Sequence, residues 1–174
     1  MGKSNKINRV KFPVKSSLTF NWNHEHNDND KILQEIANYF KENGFCKNKT
    51  SKSTKNDGIK EKNFAEEYQI RSLKAVFGLK QVLKLIEKDK LTCLLIDSSI
   101  ITHSAISTIM GIKLKLTNKD RFPVFCIPNL SKTLAQQLNY SSISAIGLIS
   151  AGNDLLPIIR KELKESGIKI KGKR

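Results

Sequence analysis

The chain has 174 residues, with 31 Lys and Arg against 16 Asp and Glu, which gives a formal net charge of +15 and a pI near 9.8. This excess of positive charge favours a polyanionic partner, either a nucleic acid or an anionic membrane surface. No apolar run approaches the ~20 residues that a membrane span needs, and the start lacks the apolar core of a secretory signal, so we expect a soluble intracellular protein.

The first 45 residues combine an arm and a helix. The stretch "RVKFPVKSSLTFNWN" is typical of an extended arm, and "NDNDKILQEIANYFKENG" predicts a helix with its N-cap at one of residues 28–30 and its stop at Gly44. The apolar positions of this helix share one face: Ile32, Leu33, Ile36 and Phe40. Because such a face needs a surface to lie against, we expect the arm to fold back or to dock on a partner.

Residues 46–62 differ from the preceding helix in composition. They contain six lysines, several turn formers and few apolar residues in "CKNKTSKSTKNDGIKEK". Such a composition buries little apolar surface, which predicts a flexible linker whose first proteolytic cuts fall at residues 46–60.

Two helices are predicted directly after this linker. In "NFAEEYQIRSLKAVF" the spacing of Phe64, Tyr68, Leu73 and Phe77 is helical, and residues 79–90 carry a second apolar stripe at Leu79, Val82, Leu83 and Ile86.

Three short apolar strands then alternate with helices. The predicted strands are "LTCLLI", "FPVFCI" and "SISAIGLIS", and the predicted helices are "ITHSAISTIMGIKL", "LSKTLAQQLN" and "NDLLPIIRKELKESG". We expect Ser131 to cap the second of these helices, Gly167 to end the third, and Pro157 to lie in the first turn of the third.

This order predicts an α/β fold, a three-layer αβα sandwich with a small central mixed sheet, preceded by an N-terminal arm and helix. The predicted organisation is an arm and helix at residues 1–45, a linker at 46–62, an αβα domain at 63–168 and a basic tail at 169–174.

The sequence does not support a metal site or a disulfide framework. Cys46, Cys93 and Cys126 are odd in number and far apart, and two of them lie in apolar segments. His24 and His26 flank Glu25 in a polar stretch that has no cysteine partner. We therefore predict no metal and no cofactor.

No motif of an enzyme active site appears in the sequence, whether a glycine-rich phosphate loop, a nucleophile elbow or a zinc-binding pair of histidines. His103 lies early in a mostly apolar predicted helix, so we expect it to be partly buried. Asp97 follows the first predicted strand, where α/β enzymes often place an acid, and a catalytic role for it stays open. A non-catalytic protein without a small-molecule substrate is the expected class.

The helix that begins after Gly78 has an unusual first turn. Lys80 lies near the positive end of the helix dipole, where a cation loses roughly 0.3–1 kcal/mol relative to an anion. Lys80 and Lys84 are four residues apart and share one face, which is either the solvated side of an amphipathic helix or a surface that meets a phosphate strand.

Several motifs here carry a resemblance to a known family. Gly78-Leu79-Lys80-Gln81-Val82 stands where the family has Gly-x-Asn-Glu-Val, and "KLIEKDKLTCLLI", "FPVFCIPNLSKTLAQQLN" and "YSSISAIGLIS" follow in the family's order. Over about 75 residues the chain resembles the kink-turn-binding ribosomal-protein superfamily of the archaeal large-subunit L-seven-Ae type. The resemblance implies a compact αβα domain that binds structured RNA with a kink-turn.

The resemblance also implies a set of RNA-binding residues. These are Gly78, Lys80, Gln81 and Lys84 at the helix start, and Tyr140, Ser141, Ser142 and Ile143 in the loop that places apolar side chains at splayed bases. Lys80 and Gln81 replace the family's Asn and Glu. Because an amide has one acceptor where a carboxylate has two, selectivity for guanine should fall while attraction to phosphate rises. Tyr140 is either a stacking platform or a half-buried loop aromatic.

The N-terminal segment resembles one particular group within this superfamily. "VKSSLTFNWNHEHNDNDKILQEIANYFKENGF" is similar to the start of the thirty-eight-kilodalton protein subunits of nuclear ribonuclease P and ribonuclease MRP, in which an arm, a tryptophan and a helix precede a lysine-rich linker. This similarity implies a non-catalytic subunit of an RNA-catalysed nuclease, with other protein subunits as partners, in the nucleus and nucleolus. Two alternatives remain open: a ribosomal or small nucleolar kink-turn binder, and a protein-interaction scaffold that has lost RNA binding.

Overall fold

The computed structural model describes residues 19–22, 29–47, 73–117, 122–163 and 169–171. The strands in this part of the chain are β1 (Thr19–Asn21), β2 (Ala75–Phe77), β3 (Cys93–Asp97), β4 (Val124–Ile127), β5 (Ala145–Leu148) and β6 (Lys169–Lys171). The helices are α1 (Asp30–Glu42), α2 (Leu79–Glu87), α3 (Ser98–Ile101), α4 (Ser104–Thr117), α5 (Leu130–Leu138) and α6 (Leu156–Glu162), and a 3₁₀ turn at Ser150–Leu155 precedes α6.

Four of the strands form one mixed sheet in the order β2-β5-β3-β4. The β3 and β4 strands run parallel, with Leu95 opposite Phe125, because α3 and α4 connect them by a crossover. The β5 strand runs antiparallel to both β3 and β2. The predicted α/β class and the small mixed sheet are confirmed.

Side chains alternate across the sheet and so build two cores. Cys93 and Leu95 of β3 enter a core formed with α1, α5 and α6, whereas Leu94 and Ile96 enter a core formed with α2 and α4. All five residues of β3 are buried, as expected for a strand covered on both faces. Helices therefore lie on both sides of the sheet, and the predicted three-layer sandwich is confirmed.

The α1 helix is part of the first core. Its stripe of Ile32, Leu33, Ile36 and Phe40 is buried, and it packs mainly along α5. The helix ends at Glu42, and Gly44 follows it as the predicted stop residue. Its φ of 73° lets its N–H and that of Phe45 bond back to the carbonyls of Lys41 and Phe40. The Phe40 and Phe45 rings meet edge to face at 5.1 Å across this stop. The predicted N-terminal helix thus shares its core with the rest of the chain.

The β1 strand and Trp22 bring the arm back onto the domain. Trp22 is buried beside α4, where its indole Nε1–H donates a hydrogen bond of 2.7 Å to the Ser107 hydroxyl. Beside it, β1 pairs antiparallel with β6, with Phe20 opposite Ile170. The prediction that the arm folds back is confirmed for residues 19–22. Residues 169–171, predicted as part of a basic tail, instead form a strand.

The segment before α2 corrects one prediction. The proposed helix over residues 63–77 contains a strand at its end, because Ala75, Val76 and Phe77 pair with Leu148, Gly147 and Ile146 of β5. Leu73 and Lys74 are helical, and residues 63–72 lie outside the described residues. The helical spacing of Phe77 is coincidental, and pairing with a neighbouring strand decides its conformation.

Two helix boundaries also differ from prediction. The proposed helix over 101–114 is split, since α3 ends at Ile101 and α4 begins at Ser104. The last helix ends at Glu162, where Leu163 turns to extended backbone with φ −121° and ψ 137°, and not at Gly167. Its start agrees with prediction, because Pro157 lies in the first turn of α6 after the 3₁₀ turn.

Most of the predicted linker lies outside the described residues. The start of it is described: the Lys47 N–H donates to the Leu138 carbonyl at 3.0 Å, and Cys46 packs against the first core. The chain therefore leaves α1 along the end of α5 before residue 48.

Candidate nucleic-acid interface

The backbone conformation at the start of α2 requires a glycine. Gly78 has φ 94° and ψ 142°, a conformation that side chains other than hydrogen rarely adopt. Its N–H donates to the Ala145 carbonyl at 2.7 Å, which ties the helix start to the beginning of β5. Apart from Gly78 and its two chain neighbours, no described residue has an atom within 4 Å of the position that a Cβ would take, so the described part of the chain leaves this space open. Another molecule can approach the backbone here.

The first turn of α2 presents donors to this open space. The Gly78 carbonyl accepts the N–H groups of Gln81 and Val82, each at 3.1 Å. Within the described part of the chain, the N–H groups of Leu79 and Lys80 have no acceptor, as is usual for the first turn of a helix. Such groups, together with the helix dipole, favour a negatively charged ligand.

The predicted polar residues of α2 lie on the surface. Lys80, Gln81 and Lys84 are all exposed, while Val82 and Ile86 on the other side of the helix are buried in the second core. One helix thus anchors itself by an apolar face and offers two cations and an amide to solvent.

The loop between α5 and β5 lies beside this helix start. Asn139 ends α5 in the left-handed conformation with φ 59°, and the Tyr140 N–H then bonds to the Ala135 carbonyl. The Tyr140 ring meets the Phe77 ring at 5.3 Å, one residue before Gly78. The structure therefore places Tyr140, the first of the predicted loop residues, beside the residue that precedes the start of α2.

Tyr140 is a half-buried side chain with neighbours on its ring. The Lys47 ammonium lies 4.5 Å from the ring centroid, and the ring packs against the first core beside Phe77. Of the two predicted roles, this packing favours the half-buried loop aromatic. The sequence places Lys47 in the linker and does not predict its position over the Tyr140 ring, since no local pattern indicates this contact.

One predicted RNA contact is wrong. Ile143 is fully buried in the first core, so its side chain cannot insert between bases. The Ile143 side chain enters the first core together with Ile146 and Leu148 of β5, and burial of such a side chain stabilises by about 1.5–3 kcal/mol. Ser141 and Ser142, the two preceding positions, are exposed and remain available.

Asp97 has a structural role. It is 3% exposed, and its two carboxylate oxygens accept the N–H of Ser99 at 2.8 Å and the N–H of Ser131 at 2.5 Å. One carboxylate thus caps both α3 and α5. The prediction that Ser131 caps α5 is wrong, because Ser131 is the second residue of that helix and donates its backbone N–H to Asp97.

The other candidates for catalysis or metal binding that lie among the described residues are not assembled into a site. His103 is exposed at the break between α3 and α4, which corrects the prediction of a partly buried histidine. Cys93 and Cys126 are buried on opposite sides of the sheet, and Cys46 is partly buried. Among the described residues, no group of three His, Cys, Asp or Glu side chains could hold a metal ion. His24 and His26 lie outside the described residues.

Comparisons with known proteins give no functional assignment. No family model matches the chain, and no curated protein matches it. Among solved structures, the chain is similar to a protein of unknown function from Bacillus halodurans, with 17% identity over 53% of this chain and 90% of that one and a TM-score of 0.40. That likeness is too weak to carry an argument. None of the described helices is both long and apolar enough to cross a membrane.

Proposed function

We propose that this protein binds structured RNA through the start of α2 and the neighbouring loop, as a non-catalytic subunit of the ribonuclease P and ribonuclease MRP ribonucleoproteins. The observation that carries the proposal is the cluster at the α2 start: exposed Lys80, Gln81 and Lys84 beside unaccepted first-turn N–H groups and an open glycine. The net charge of +15 supports a polyanionic partner. The arm that is docked through Trp22 is the feature that favours this class of subunit over a bare kink-turn domain.

The mechanism of binding has two parts. The two lysines and the first-turn N–H groups contact phosphates of a kinked RNA strand, and this attraction is independent of sequence. Gln81 then faces a base edge, where its amide offers one acceptor and two donors. Ser141 and Ser142 contribute further hydrogen bonds from the loop. The RNA is the catalyst in this class, and the protein holds a kinked element in place in the nucleus and nucleolus.

The experiment that tests the base contact is Gln81→Glu. If Gln81 faces the guanine edge of the kink, a carboxylate there should raise discrimination between guanine and adenine by ~1–3 kcal/mol, the range of a good bidentate base contact in DNA grooves. Binding of both proteins to a kink-turn RNA and to its guanine-to-adenine variant is compared at fixed salt. Equal ratios for the two proteins would show that this position does not read the base.

A second candidate function is a protein-interaction scaffold that does not bind RNA. The burial of Ile143 and the packing of Tyr140 favour it, because they remove apolar contacts that the loop was predicted to give to RNA. A mobility shift on kink-turn RNA that stays absent at low salt would support the scaffold. Purification of the native complex and identification of its RNA would separate a ribonuclease subunit from a ribosomal or small nucleolar kink-turn binder.

A further inference from the structure

The α4 helix is apolar on two opposite sides. Its inner side buries Met110 and Leu114 in the second core. On its outer side, Ile109, Ile112 and Leu116 are 54%, 36% and 71% exposed, and we call these three residues the outer stripe. At 3.6 residues per turn, the stripe lies roughly 150° around the helix from the buried side chains.

The outer stripe is more than scattered surface hydrophobicity. In the described part of the chain the large exposed hydrophobic side chains are Leu73, Ile158 and these three, so most of them gather on one helix face. Their spacing of three and then four residues is that of anchors for a second helix. Single exposed apolar residues are normal on a protein surface. A helix with apolar side chains on opposite sides is instead normally covered by other parts of the protein or by a partner.

The charges beside the stripe indicate what covers it. Lys115 is exposed on one flank, and Lys113 lies on the other flank, where it pairs with Glu87 at the end of α2. With a net charge of +15 and the exposed Lys115 beside the stripe, a second copy of the chain would bring like charges together. A partner helix with acidic residues beside its own apolar stripe would instead pair with Lys115, as flanking charges do in coiled coils.

We propose that the outer stripe of α4 docks an acidic amphipathic helix of another protein. The proposal goes beyond RNA binding and does not rest on it. The contact between Lys113 and Glu87 places this part of α4 at the far end of α2, roughly 13.5 Å along the helix axis from Gly78. The two surfaces can therefore be disabled separately.

The test places a photo-cross-linking residue on the stripe of the full chain. Ile112→p-benzoylphenylalanine is expressed in the cells that make the protein, and the cross-linked peptide is mapped by mass spectrometry. Ile158→p-benzoylphenylalanine, at an exposed apolar position of α6, is the control. We expect position 112 alone to cross-link to a helical segment of another protein with an excess of Asp and Glu beside its apolar stripe. A cross-link to a second copy, to RNA or to a basic segment, or a yield no higher than at position 158, would overturn the proposal.

A synthetic peptide of the cross-linked segment then gives a second measurement. The variant Ile109→Ser/Ile112→Ser/Leu116→Ser should weaken its binding by about tenfold or more, as expected when central apolar anchors are lost. Leu73→Ser/Ile158→Ser should change it by less than about twofold, because those side chains lie off the stripe. Circular dichroism confirms that both variants are folded. Equal binding by the stripe variant and the wild type would overturn the proposal even if a cross-link forms, and kink-turn RNA binding should be unchanged in both variants.

Discussion

Asp97 lies at the carboxyl end of β3, and its carboxylate is shared by the starts of two helices. Its Oδ1 accepts from Ser99 of α3, and its Oδ2 accepts from Ser131 of α5. The residue is buried, and removing its side chain leaves the N–H groups of Ser99 and Ser131 without this acceptor. An acid at this position is therefore explained by its structural role as a shared helix cap.

Asp97→Ala should therefore destabilise the fold by about 2–4 kcal/mol, from two lost helix caps of about 1–2 kcal/mol each. Urea denaturation followed by circular dichroism measures this free energy of unfolding. The matched control is Asp30→Ala, an exposed acid in the first turn of α1, which should cost no more than about 1 kcal/mol. Similar losses in the two variants would contradict the double cap.

The environment of Tyr39 predicts how the stability of the fold changes at high pH. Its hydroxyl donates to Asp154 at 2.5 Å, and partial burial, this hydrogen bond and the negative charge of Asp154 all raise the pKa of Tyr39 above its ordinary value. A raised pKa in the folded state contributes stability that is fully present below pH ~10 and is lost as the pH rises through the folded pKa.

Tyr39→Phe removes this contribution. The difference in unfolding free energy between wild type and variant should be constant at neutral pH and should shrink above pH ~10. Since the lysines titrate in both proteins, the difference isolates Tyr39. A difference that stays constant, or that grows with pH, would show that the hydroxyl does not donate to Asp154 in solution.

At the scale of elements, Trp22 joins the arm to α4. The chain contains one tryptophan, so its fluorescence reports on this contact alone. The indole is buried and its N–H bonds to Ser107, which predicts a blue-shifted emission in the folded protein.

Ser107→Ala should leave the buried indole N–H without its acceptor and cost about 1–3 kcal/mol. In the wild type, the fluorescence and circular dichroism transitions should coincide in urea, because the arm belongs to the second core. Ser104→Ala, an exposed serine on the same helix, is the control. A fluorescence transition at lower urea than the circular dichroism transition would show that the arm detaches before the helices unfold, and would contradict this packing.

The elements that the sequence predicts well are those with a local cause. The buried strands are short all-apolar runs, which can be recognised in the sequence. The stop of α1 needs a residue with positive φ, and a glycine at this position predicts one. The β2 strand was missed because three residues carry no periodicity, and its conformation comes from pairing with β5. The cap of α5 comes from Asp97, 34 positions away in the chain, which no local pattern reveals.

In the candidate site, too, the features with a local cause were predicted, and those that depend on distant contacts were not. The exposure of Lys80, Gln81 and Lys84 follows from the amphipathic spacing of α2 and was predicted together with its buried face. The burial of Ile143 could not be read from a resemblance of loops, because it depends on how the loop after α5 enters the first core. Lys47 lies beside Tyr140 through a hydrogen bond to the end of α5, which is again a contact between distant parts of the chain.

At the scale of the whole molecule, a small sheet separates two cores and leaves distinct surfaces on one side of it. The α2 and α4 helices both cover the second core, and α2 presents its start at the sheet end where β5 begins. With a net charge of +15, attraction to RNA acts over the whole surface. A specific site must therefore be shown against that background, by comparing lysines at different places on the same helix.

The most direct test of RNA binding at the α2 start is the salt dependence of binding to kink-turn RNA. Lys80→Ala/Lys84→Ala should lower the slope of log K against log salt by about 1.4–2, if each lysine neutralises one phosphate. Lys88→Ala/Lys90→Ala removes the same charge from exposed positions at the other end of α2 and should leave the slope nearly unchanged. If both double variants lower the slope equally, the attraction is a property of the overall charge, and the start of α2 is not the RNA-binding site.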